Sequence, residues 1–371
     1  MKTCGIVAEY NPFHNGHAYQ IQQARMKSNA DTIIVVMSGN FVQRGEPAII
    51  DKWKRSEAAV LNGADVVVEL PYFYATQAAN QFAKGAIEIL KLAHVDAISF
   101  GSECGNLENL LDISDTPINV DHLHVSLESG MSYPKAYSLL TNQMFPNDIL
   151  AVSYLNHMKG TDIEPIVIQR TNEYNDDSIA PTCSALAIRK ALHEHHNLEN
   201  STTMIETLEK SELVFSDMFY PYLRTLLLTS NRKKLSETFL FSEGIENHLV
   251  KVAEQCSDYQ SFINQTTNYR YTSSRIRRCC LQAMNQLSKQ EAQEFTTPNY
   301  LRILGFNNQG RKWLKEQKER EINIVSRFAE IPEPFKQWEL KTTQLYTSVL
   351  SEEERKRILT LEISGAKYIN K

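Results

Sequence analysis

Two histidines near the start of the chain have the spacing for chemistry on a nucleotide. Residues 5–17 read Gly-Ile-Val-Ala-Glu-Tyr-Asn-Pro-Phe-His-Asn-Gly-His, so a short apolar strand runs into a His-x-Gly-His motif that opens a helix. In-line attack on phosphorus builds negative charge, which imidazoles and a helix N-terminus can stabilise. His14 and His17 are three residues apart and share one helix face. The motif predicts a site for attack on the α-phosphorus of ATP.

The residues between the histidines carry further expectations. Asn15 and Gly16 are expected to present free N–H groups, and Gly16 to let a nucleotide approach the backbone. The ordinary pKa of histidine, about 6.5, leaves open whether the imidazoles are charged. So short a motif also arises by chance, but the strand before it and the helical pattern after it favour the functional interpretation.

Length and composition predict a globular protein of two domains. The chain has 371 residues, with 44 acidic residues against 39 lysines and arginines, so no overall basic charge indicates a nucleic-acid partner. Six scattered cysteines without a CxxC pair suit reduced thiols rather than zinc or disulfides. No apolar stretch reaches the roughly twenty residues that cross a membrane. We therefore expect a cytoplasmic protein.

The pattern of apolar runs predicts an α/β fold. Five short runs rich in Val or Ile alternate with helical patterns, as in a parallel, Rossmann-like sheet. They are Cys4–Glu9, Thr32–Met37, Asp65–Leu70, Ala97–Phe100 and Pro165–Gln169. Ligands of such sheets bind beyond the carboxyl ends of the strands. We therefore expect the polar residues after these strands to meet in one crevice.

A polar stretch at residues 193–202 predicts the boundary between the two domains. Residues 1–190 form the expected sheet domain, and residues 200–371 a mainly α-helical domain. Three histidines in the stretch, His193, His195 and His196, could hold a metal, but a solvated helix end explains them better. No protein-bound metal is predicted.

Two segments are candidates for binding phosphate. Residues 38–47 follow the second strand and carry Arg44, and residues 180–190 read as a turn and a capped helix with Ser184 and Arg189. The alternatives are a solvated turn and an ordinary capped helix. Residues 51–55 open a helix with three cations where the helix dipole favours acids, so a nearby anion is expected.

A basic stretch in the second half is a candidate RNA surface. Residues 268–278 hold four arginines, Arg270, Arg275, Arg277 and Arg278, with two tyrosines and no acid. Cations suit phosphate, and aromatic rings suit unpaired bases. Residues 310–315 could extend this surface. Such runs are more often solvated helix faces.

Taken together, these motifs resemble the bacterial tRNA(Met) cytidine acetate ligase family, in the nucleotidyltransferase superfamily. The most specific stretches are residues 7–17, residues 37–47 and Phe100–Glu103, and the similarity runs nearly end to end. The resemblance implies an HxGH nucleotidyltransferase-like, ATP-binding catalytic domain and a probable tRNA-binding role for the helical domain. It further implies that acetate and ATP form acetyl-adenylate, whose acetyl group passes to the wobble cytidine of elongator tRNA(Met) to give N4-acetylcytidine.

The resemblance also implies site residues. His14 and His17 are the catalytic pair. The implied ATP-binding residues are Val7, Ala8, Glu9, Tyr10, Asn11, Pro12, Phe13, His14, Asn15, Gly16, His17, Ala18, Tyr19, Gln20, Gly101, Asn147 and Arg170. ATP is expected as its magnesium complex. The chain departs from the family pattern at Asp148, Asn175 and Leu186, and Leu186 removes a potential phosphate donor.

Two other functions remain open from the sequence. An adenylyltransferase could join AMP to a phosphorylated metabolite, which would make the second half a lid or an oligomerisation domain. Alternatively, the first domain could be a nucleotide sensor joined to an RNA adaptor. The oligomeric state is not indicated by the sequence.

Overall fold

A mixed β-sheet organises the computed structural model, which describes residues 1–116, 144–170, 183–198 and 200–370. Its eight described strands have the order β5-β4-β1-β2-β3-β6-β7, with β8 beside β6. The strands are β1 (Thr3–Ala8), β2 (Thr32–Ser38), β3 (Val66–Leu70), β4 (Ala97–Ser102), β5 (Glu164–Gln169), β6 (Leu301–Phe306), β7 (Ile324–Val325) and β8 (Lys367–Tyr368).

Helices cover both faces of the sheet and build a separate layer in the second half. On the sheet side they are α1 (Asn15–Ser28), α2 (Lys52–Leu61), α3 (Tyr72–Ala75), α4 (Ala79–Leu92), α5 (Leu107–Asp115), α6 (Pro146–Met158), α7 (Ala185–His193) and α8 (Ile205–Glu209). The later helices are α9 (Tyr220–Thr229), α10 (Arg232–Ser236), α11 (Ile245–Gln255), α12 (Tyr259–Thr266), α13 (Ser273–Asn285), α14 (Lys289–Ala292), α15 (Asn308–Glu319), α16 (Phe335–Thr347) and α17 (Glu352–Ile363).

The five predicted strands are confirmed, and all are parallel. β1 pairs with β2 on one side and with β4 on the other, so the strand order reverses between β1 and β4. A crevice opens beyond the carboxyl ends of the strands at such a reversal. The His-x-Gly-His motif follows β1, so the fold brings it to this crevice.

The second half does not stay apart from the sheet. Strand β6 pairs with β3 in antiparallel fashion, and β7 and β8 both flank β6. A buried cluster of charges joins these parts, with Lys52 and Arg302 both paired to Glu69 and Glu362 at 2.6–2.9 Å. The domain boundary near residue 190 stays a prediction, and strands from both sides of it belong to one sheet.

Carboxylates of the chain itself pair with the lysines at the start of α2. Lys52 pairs with Glu69 and Glu362, and Lys54 pairs with Glu354 at 3.1 Å. The anion expected beside this helix is therefore confirmed, but the chain itself supplies it. Removing one member of such a buried cluster strands the others without a counter-charge.

A helical unit with its own core fills much of the second half. Apolar side chains from α9, α11, α12 and α13 pack together, among them Leu223, Leu249, Phe262 and Ile276. A further cluster joins this unit to the sheet side through Phe41, whose ring contacts Phe219 and Tyr346. Among the described residues, no helix has the length and apolar character to span a membrane.

Candidate active site

The side chains of the two motif histidines cap helix α1 by accepting hydrogen bonds from backbone N–H groups at its start. His14 is the N-cap residue, and its Nδ1 accepts from the Gly16 N–H at 3.1 Å. The Nδ1 of His17 accepts from the His14 N–H at 3.2 Å. The rings stack with centroids 3.6 Å apart. Because each Nδ1 is an acceptor, each neutral ring carries its proton on Nε2.

Both imidazoles are neutral at physiological pH. Burial, together with the nearby charges of Arg170 and Arg189, lowers the pKa of His14 to about 3. Burial also lowers the pKa of His17 well below its usual value, with His14 and Arg170 contributing. The structure thus decides the question that the sequence left open. The pair offers two neutral Nε2–H donors rather than two cations.

The expectations for Asn15 and Gly16 were wrong. The Asn15 N–H donates to the Ser201 carbonyl at 3.3 Å, and the Gly16 N–H is taken by His14. A Cβ on Gly16 would lie 2.9 Å from Cε1 of His14. The glycine therefore makes room for the capping imidazole, which accepts the Gly16 N–H, while the Ser201 carbonyl accepts that of Asn15.

Three buried residues of the motif loop hold the histidines in place. The buried rings of Tyr10 and Phe13 contact the His17 ring, with centroids 4.7 and 5.6 Å away. Asn11 is buried, and its Oδ1 accepts from the Ile49 N–H at 2.7 Å. These side chains fix the orientation of the motif but do not line the crevice.

The buried guanidinium of Arg55 ties the loops after β1 and β2 together. It donates to the carbonyls of Glu9 at 2.6 Å and Ser38 at 3.0 Å, and also to that of Gly39. Its Nε donates to the Ile50 carbonyl at 3.1 Å. Arg55 has no exposed surface, so it positions the backbone of the site without reaching a ligand.

A cavity of about 470 Å³ lies beyond the carboxyl ends of β1 and β4. Twelve of the residues predicted for nucleotide or phosphate binding line it. They are Val7, Ala8, Glu9, His14, His17, Gln20, Arg44, Gly101, Asn147, Arg170, Ser184 and Arg189. The crevice inferred from the strand order is therefore present, and it collects these side chains from six separate segments.

Arginines dominate the charge of this cavity. Among the residues that the structure describes, four guanidinium groups line it against two carboxylates, while the two histidines are neutral. Arg189 donates to the Asn11 carbonyl at 2.7 Å and pairs with Glu46 at 3.4 Å. Glu9 accepts from the Gln43 N–H at 2.8 Å, and burial raises its pKa. The surplus of fixed cations favours an anionic ligand.

One end of the cavity is organised by a carboxylate at the start of α6. Oδ1 of the buried Asp148 accepts from the Ser102 hydroxyl at 2.5 Å and from the Glu103 N–H at 2.9 Å. The Asn147 amide donates to Glu103 at 2.5 Å. Asp148 thus clamps the loop after Gly101, which is itself within β4. This departure from the family pattern has a structural role, whereas Asn175 lies outside the described residues.

The remaining predicted ATP-binding residues point elsewhere. Tyr10, Asn11, Pro12, Phe13 and Gly16 do not line this cavity, and Asn15, Ala18 and Tyr19 line a separate open groove beside α1. Leu186 does line the cavity, in line with the loss of a hydroxyl there. Ser184 caps α7 by accepting from the Ala187 N–H at 3.1 Å, while the turn at residues 180–182 lies outside the described residues.

The four arginines predicted to bind RNA fall into two pairs. Arg270 and Arg275 lie on the surface and pair with Glu243 at 3.2 and 3.4 Å. Arg277 pairs with Glu46 at 3.1 Å, and Arg278 lines the cavity. Thr272 and Ser274 line it as well. The sequence signalled this segment as basic but gave no sign that it reaches the nucleotide crevice.

The three histidines of the tract pair with surface carboxylates or stay apart, with no metal-ligand cluster among the described residues. His193 lies 3.7 Å from Asp217, and His196 lies 3.5 Å from Glu194, all at the surface. Within the part of the chain that the structure describes, no group of three or more His, Cys, Asp or Glu residues could hold a metal ion.

Comparison with known proteins first defines the class. The family model of the HIGH Nucleotidyl Transferase family matches residues 1–360. A crystal structure of apo Thermotoga maritima TmcAL covers all of both chains with a TM-score of 0.91 and 30% identity. A second structure, of the same protein bound with α-thio ATP, covers all of both chains with a TM-score of 0.88 and 30% identity. The fold is therefore that of a HIGH-type nucleotidyltransferase.

Curated relatives define the group within that class. A Lysinibacillus sphaericus protein named tRNA(Met) cytidine acetate ligase is 36% identical over 93% of this chain and 94% of its own length. A Leuconostoc citreum protein of the same name is 38% identical over 86% of this chain and 85% of its own length. The chain belongs to the tRNA(Met) cytidine acetate ligase family, whose members are ligases.

Proposed function

We propose that this enzyme activates acetate with ATP and acetylates the wobble cytidine of elongator tRNA(Met) to N4-acetylcytidine. The observation that carries the proposal is the pair of neutral imidazoles, His14 buried and His17 half-buried, that line an arginine-rich cavity in a member of this family. The related Thermotoga maritima protein has been crystallised with α-thio ATP, which supports ATP as the nucleotide.

The two ends of the cavity suit the two ends of ATP. Apolar side chains, among them Phe82, Leu150 and Tyr154, gather near Asn147 and favour the adenine ring. The arginines favour the phosphates because a guanidinium binds phosphate oxygens in bidentate fashion. His14 and His17 lie with these arginines along the cavity wall, where their Nε2–H groups can donate to the α-phosphate.

In the first step an acetate oxygen attacks the α-phosphorus, the bond to the β-phosphate oxygen breaks, and pyrophosphate leaves. Charge increases on the α-phosphate oxygens in the transition state. Neutral N–H donors that are already oriented stabilise this charge without having to reorganise. The reciprocal cap of His14 and His17 supplies that orientation because each Nδ1 is held by the backbone.

In the second step the N4 amine of cytidine attacks the acetyl carbonyl, AMP leaves, and the amine loses a proton. The tRNA must therefore bring an unpaired base to the cavity. The surface beside Thr272 and Ser274 carries Arg270, Arg275 and the half-exposed Tyr269, which suit a phosphate backbone and a loop base. We place the tRNA contact there.

Magnesium is expected to enter with ATP rather than to reside on the protein. The described carboxylates at the cavity are Glu9, which is hydrogen-bonded to Gln43, and Glu46, which is paired with Arg189 and Arg277. Neither presents a carboxylate without protein partners. The ATP phosphates and water are therefore the expected ligands of the ion.

The test measures AMP and pyrophosphate released from ATP, with and without acetate and with and without elongator tRNA(Met). We expect acetate-dependent release and acetylated tRNA only when all components are present. Absence of turnover with acetate, with activity on a phosphorylated metabolite instead, would favour an adenylyltransferase. Survival of RNA-dependent function after Ala replaces both His14 and His17 would favour a sensor and adaptor.

A further inference from the structure

One arginine of the helical unit reaches into the nucleotide cavity from the opposite side. Arg278 lies in the second turn of α13, and its side chain lines the cavity together with Thr272 and Ser274. Its Nη1 donates to the Gln43 carbonyl at 3.3 Å. Arg44 and Arg189 line the same cavity. A residue from the second half thus shares a site otherwise built on the sheet.

Close backbone contact fixes this position. Gly45 has a φ of +76°, and a Cβ there would lie 2.5 Å from the Arg278 backbone nitrogen. Only glycine allows this approach without displacing the helix. The neighbouring Glu46 pairs with Arg277 at 3.1 Å. The start of α13 is therefore locked onto the loop after β2, and Arg278 is placed by the fold rather than by a flexible reach.

The charge of Arg278 lacks a counter-ion among the described residues. Arg277 and Arg189 share Glu46, and Arg270 and Arg275 share Glu243. For Arg278 the described residues provide a carbonyl and no carboxylate within ion-pair distance. Burial, with Arg275 nearby, lowers its pKa to about 10, so the group remains a cation at neutral pH.

A half-buried cation without a carboxylate partner is stabilised when an anion enters the cavity. We propose that Arg278 binds a β- or γ-phosphate oxygen of ATP, so that the helical unit completes the nucleotide site. The proposal rests on ATP being the substrate of the proposed function. ATP is favoured over a tRNA phosphate because Arg278 lies in the same cavity as His14 and Arg189, whereas Arg270 and Arg275 lie outside it.

The experiment compares the dissociation constants of ATP and adenosine, by calorimetry on the full chain, for the wild type, Arg278→Gln and Arg278→Lys. We expect Arg278→Gln to weaken ATP binding about tenfold or more, the usual effect of losing one charge-assisted hydrogen bond. Adenosine binding should stay within about twofold because it has no phosphate. Arg278→Lys should lie between because it keeps the charge but loses the planar donor fork.

Arg232→Gln is the control. It removes a surface arginine of the same helical unit, which pairs with Glu254 at 3.9 Å outside the cavity. We expect it to leave the ATP affinity unchanged. Comparing ATP with adenosine in the same variant distinguishes two causes of weaker binding. Loss of a phosphate contact weakens ATP binding alone, whereas a distorted loop or a destabilised protein weakens the binding of both ligands.

Two results would overturn the inference. Equal weakening of ATP and adenosine in Arg278→Gln would mean that the residue only supports the loop at Gln43. Unchanged ATP affinity with weakened tRNA binding would make it an RNA contact. Failure of the proposed function is a separate result, because it would appear as absent acetate-dependent turnover in the wild type while the comparison of affinities still stands.

Discussion

The substitution Arg55→Met tests whether one buried cation holds the two halves of the site together. Arg55 donates to four backbone carbonyls, those of Glu9, Ser38, Gly39 and Ile50. Methionine fills much of the same space but provides no donor. The carbonyls at the ends of β1 and β2 would then face a buried apolar side chain.

The expected loss in the free energy of unfolding is about 3–5 kcal/mol. A buried polar group stripped of its partner costs roughly 1–3 kcal/mol, and four acceptors lose a donor here. Part of this cost is offset because the variant no longer buries a cation, so the net value resembles that of breaking a buried ion pair. A typical domain has about 5–15 kcal/mol in total, so the variant should fold but with a small margin.

Urea unfolding at equilibrium measures this loss, and ATP affinity at low temperature measures its effect on the site. We expect a lower midpoint with an unchanged slope, and ATP binding weakened because the loops carrying Glu9 and Gly39 drift apart. Lys91→Met is the control: Lys91 pairs at the surface with Glu88 at 3.0 Å, and its loss should cost less than about 1 kcal/mol. An Arg55→Met protein within about 1 kcal/mol of the wild type, with ordinary ATP affinity, would refute the reasoning.

Three further predictions follow from the contacts of the site. His14→Asn keeps an oxygen to cap α1 but loses the Nε2–H donor, so acetyl-adenylate formation should fall about 10²–10³-fold while tRNA affinity is kept; an unchanged rate would exclude His14 from the chemistry. Because the pKa of His14 falls to about 3 on folding, the unfolded chain binds a proton that the folded chain does not. Stability should therefore decline as pH falls from about 6.5 towards 3, and His14 should contribute about 1.4 kcal/mol per pH unit to that decline. Urea titrations at several pH values measure this slope, and an equal slope in His14→Asn would contradict the assignment. Glu103→Gln should reduce the preference for ATP over GTP about tenfold because Glu103 fixes the Asn147 amide. Competition between the two nucleotides measures this preference, and an unchanged value would place the adenine base away from Asn147.

The sheet and its crevice could be predicted because their signals are local. Runs such as Thr32–Met37 and Asp65–Leu70 are continuous and apolar, which is typical of buried parallel strands. The order of strands and helices then fixes where the carboxyl ends lie. The cavity-lining position of Arg170 follows from that rule because it comes directly after β5, and His14 and His17 lie in the loop and helix start that follow β1.

The contributions of the second half could not be predicted because they depend on contacts between distant residues. Nothing in the local sequence of residues 301–306 indicates that this strand pairs with β3. Nor does it indicate that Arg302 forms an ion pair with Glu69, which lies 233 residues earlier in the chain. The arginines at residues 270–278 look alike in sequence, yet Arg278 lines the cavity, Arg277 pairs with Glu46, and Arg270 and Arg275 pair with Glu243.

The protonation state of the two histidines also could not be predicted from the sequence. It depends on burial and on which backbone N–H groups the rings accept, and both are set by tertiary packing around Tyr10 and Phe13. The pattern of residues indicated the chemistry, whereas the neutral state that makes these rings donors comes from the fold.

The most direct test of the central claim supplies ¹³C-labelled acetate, ATP and elongator tRNA(Met) to the purified enzyme and analyses the nucleosides of the tRNA by mass spectrometry. The account predicts N4-acetylcytidine that carries the label, formed at the wobble position, dependent on ATP and greatly reduced in His14→Asn. Unlabelled cytidine at that position, while ATP is still converted to AMP and pyrophosphate, would contradict it.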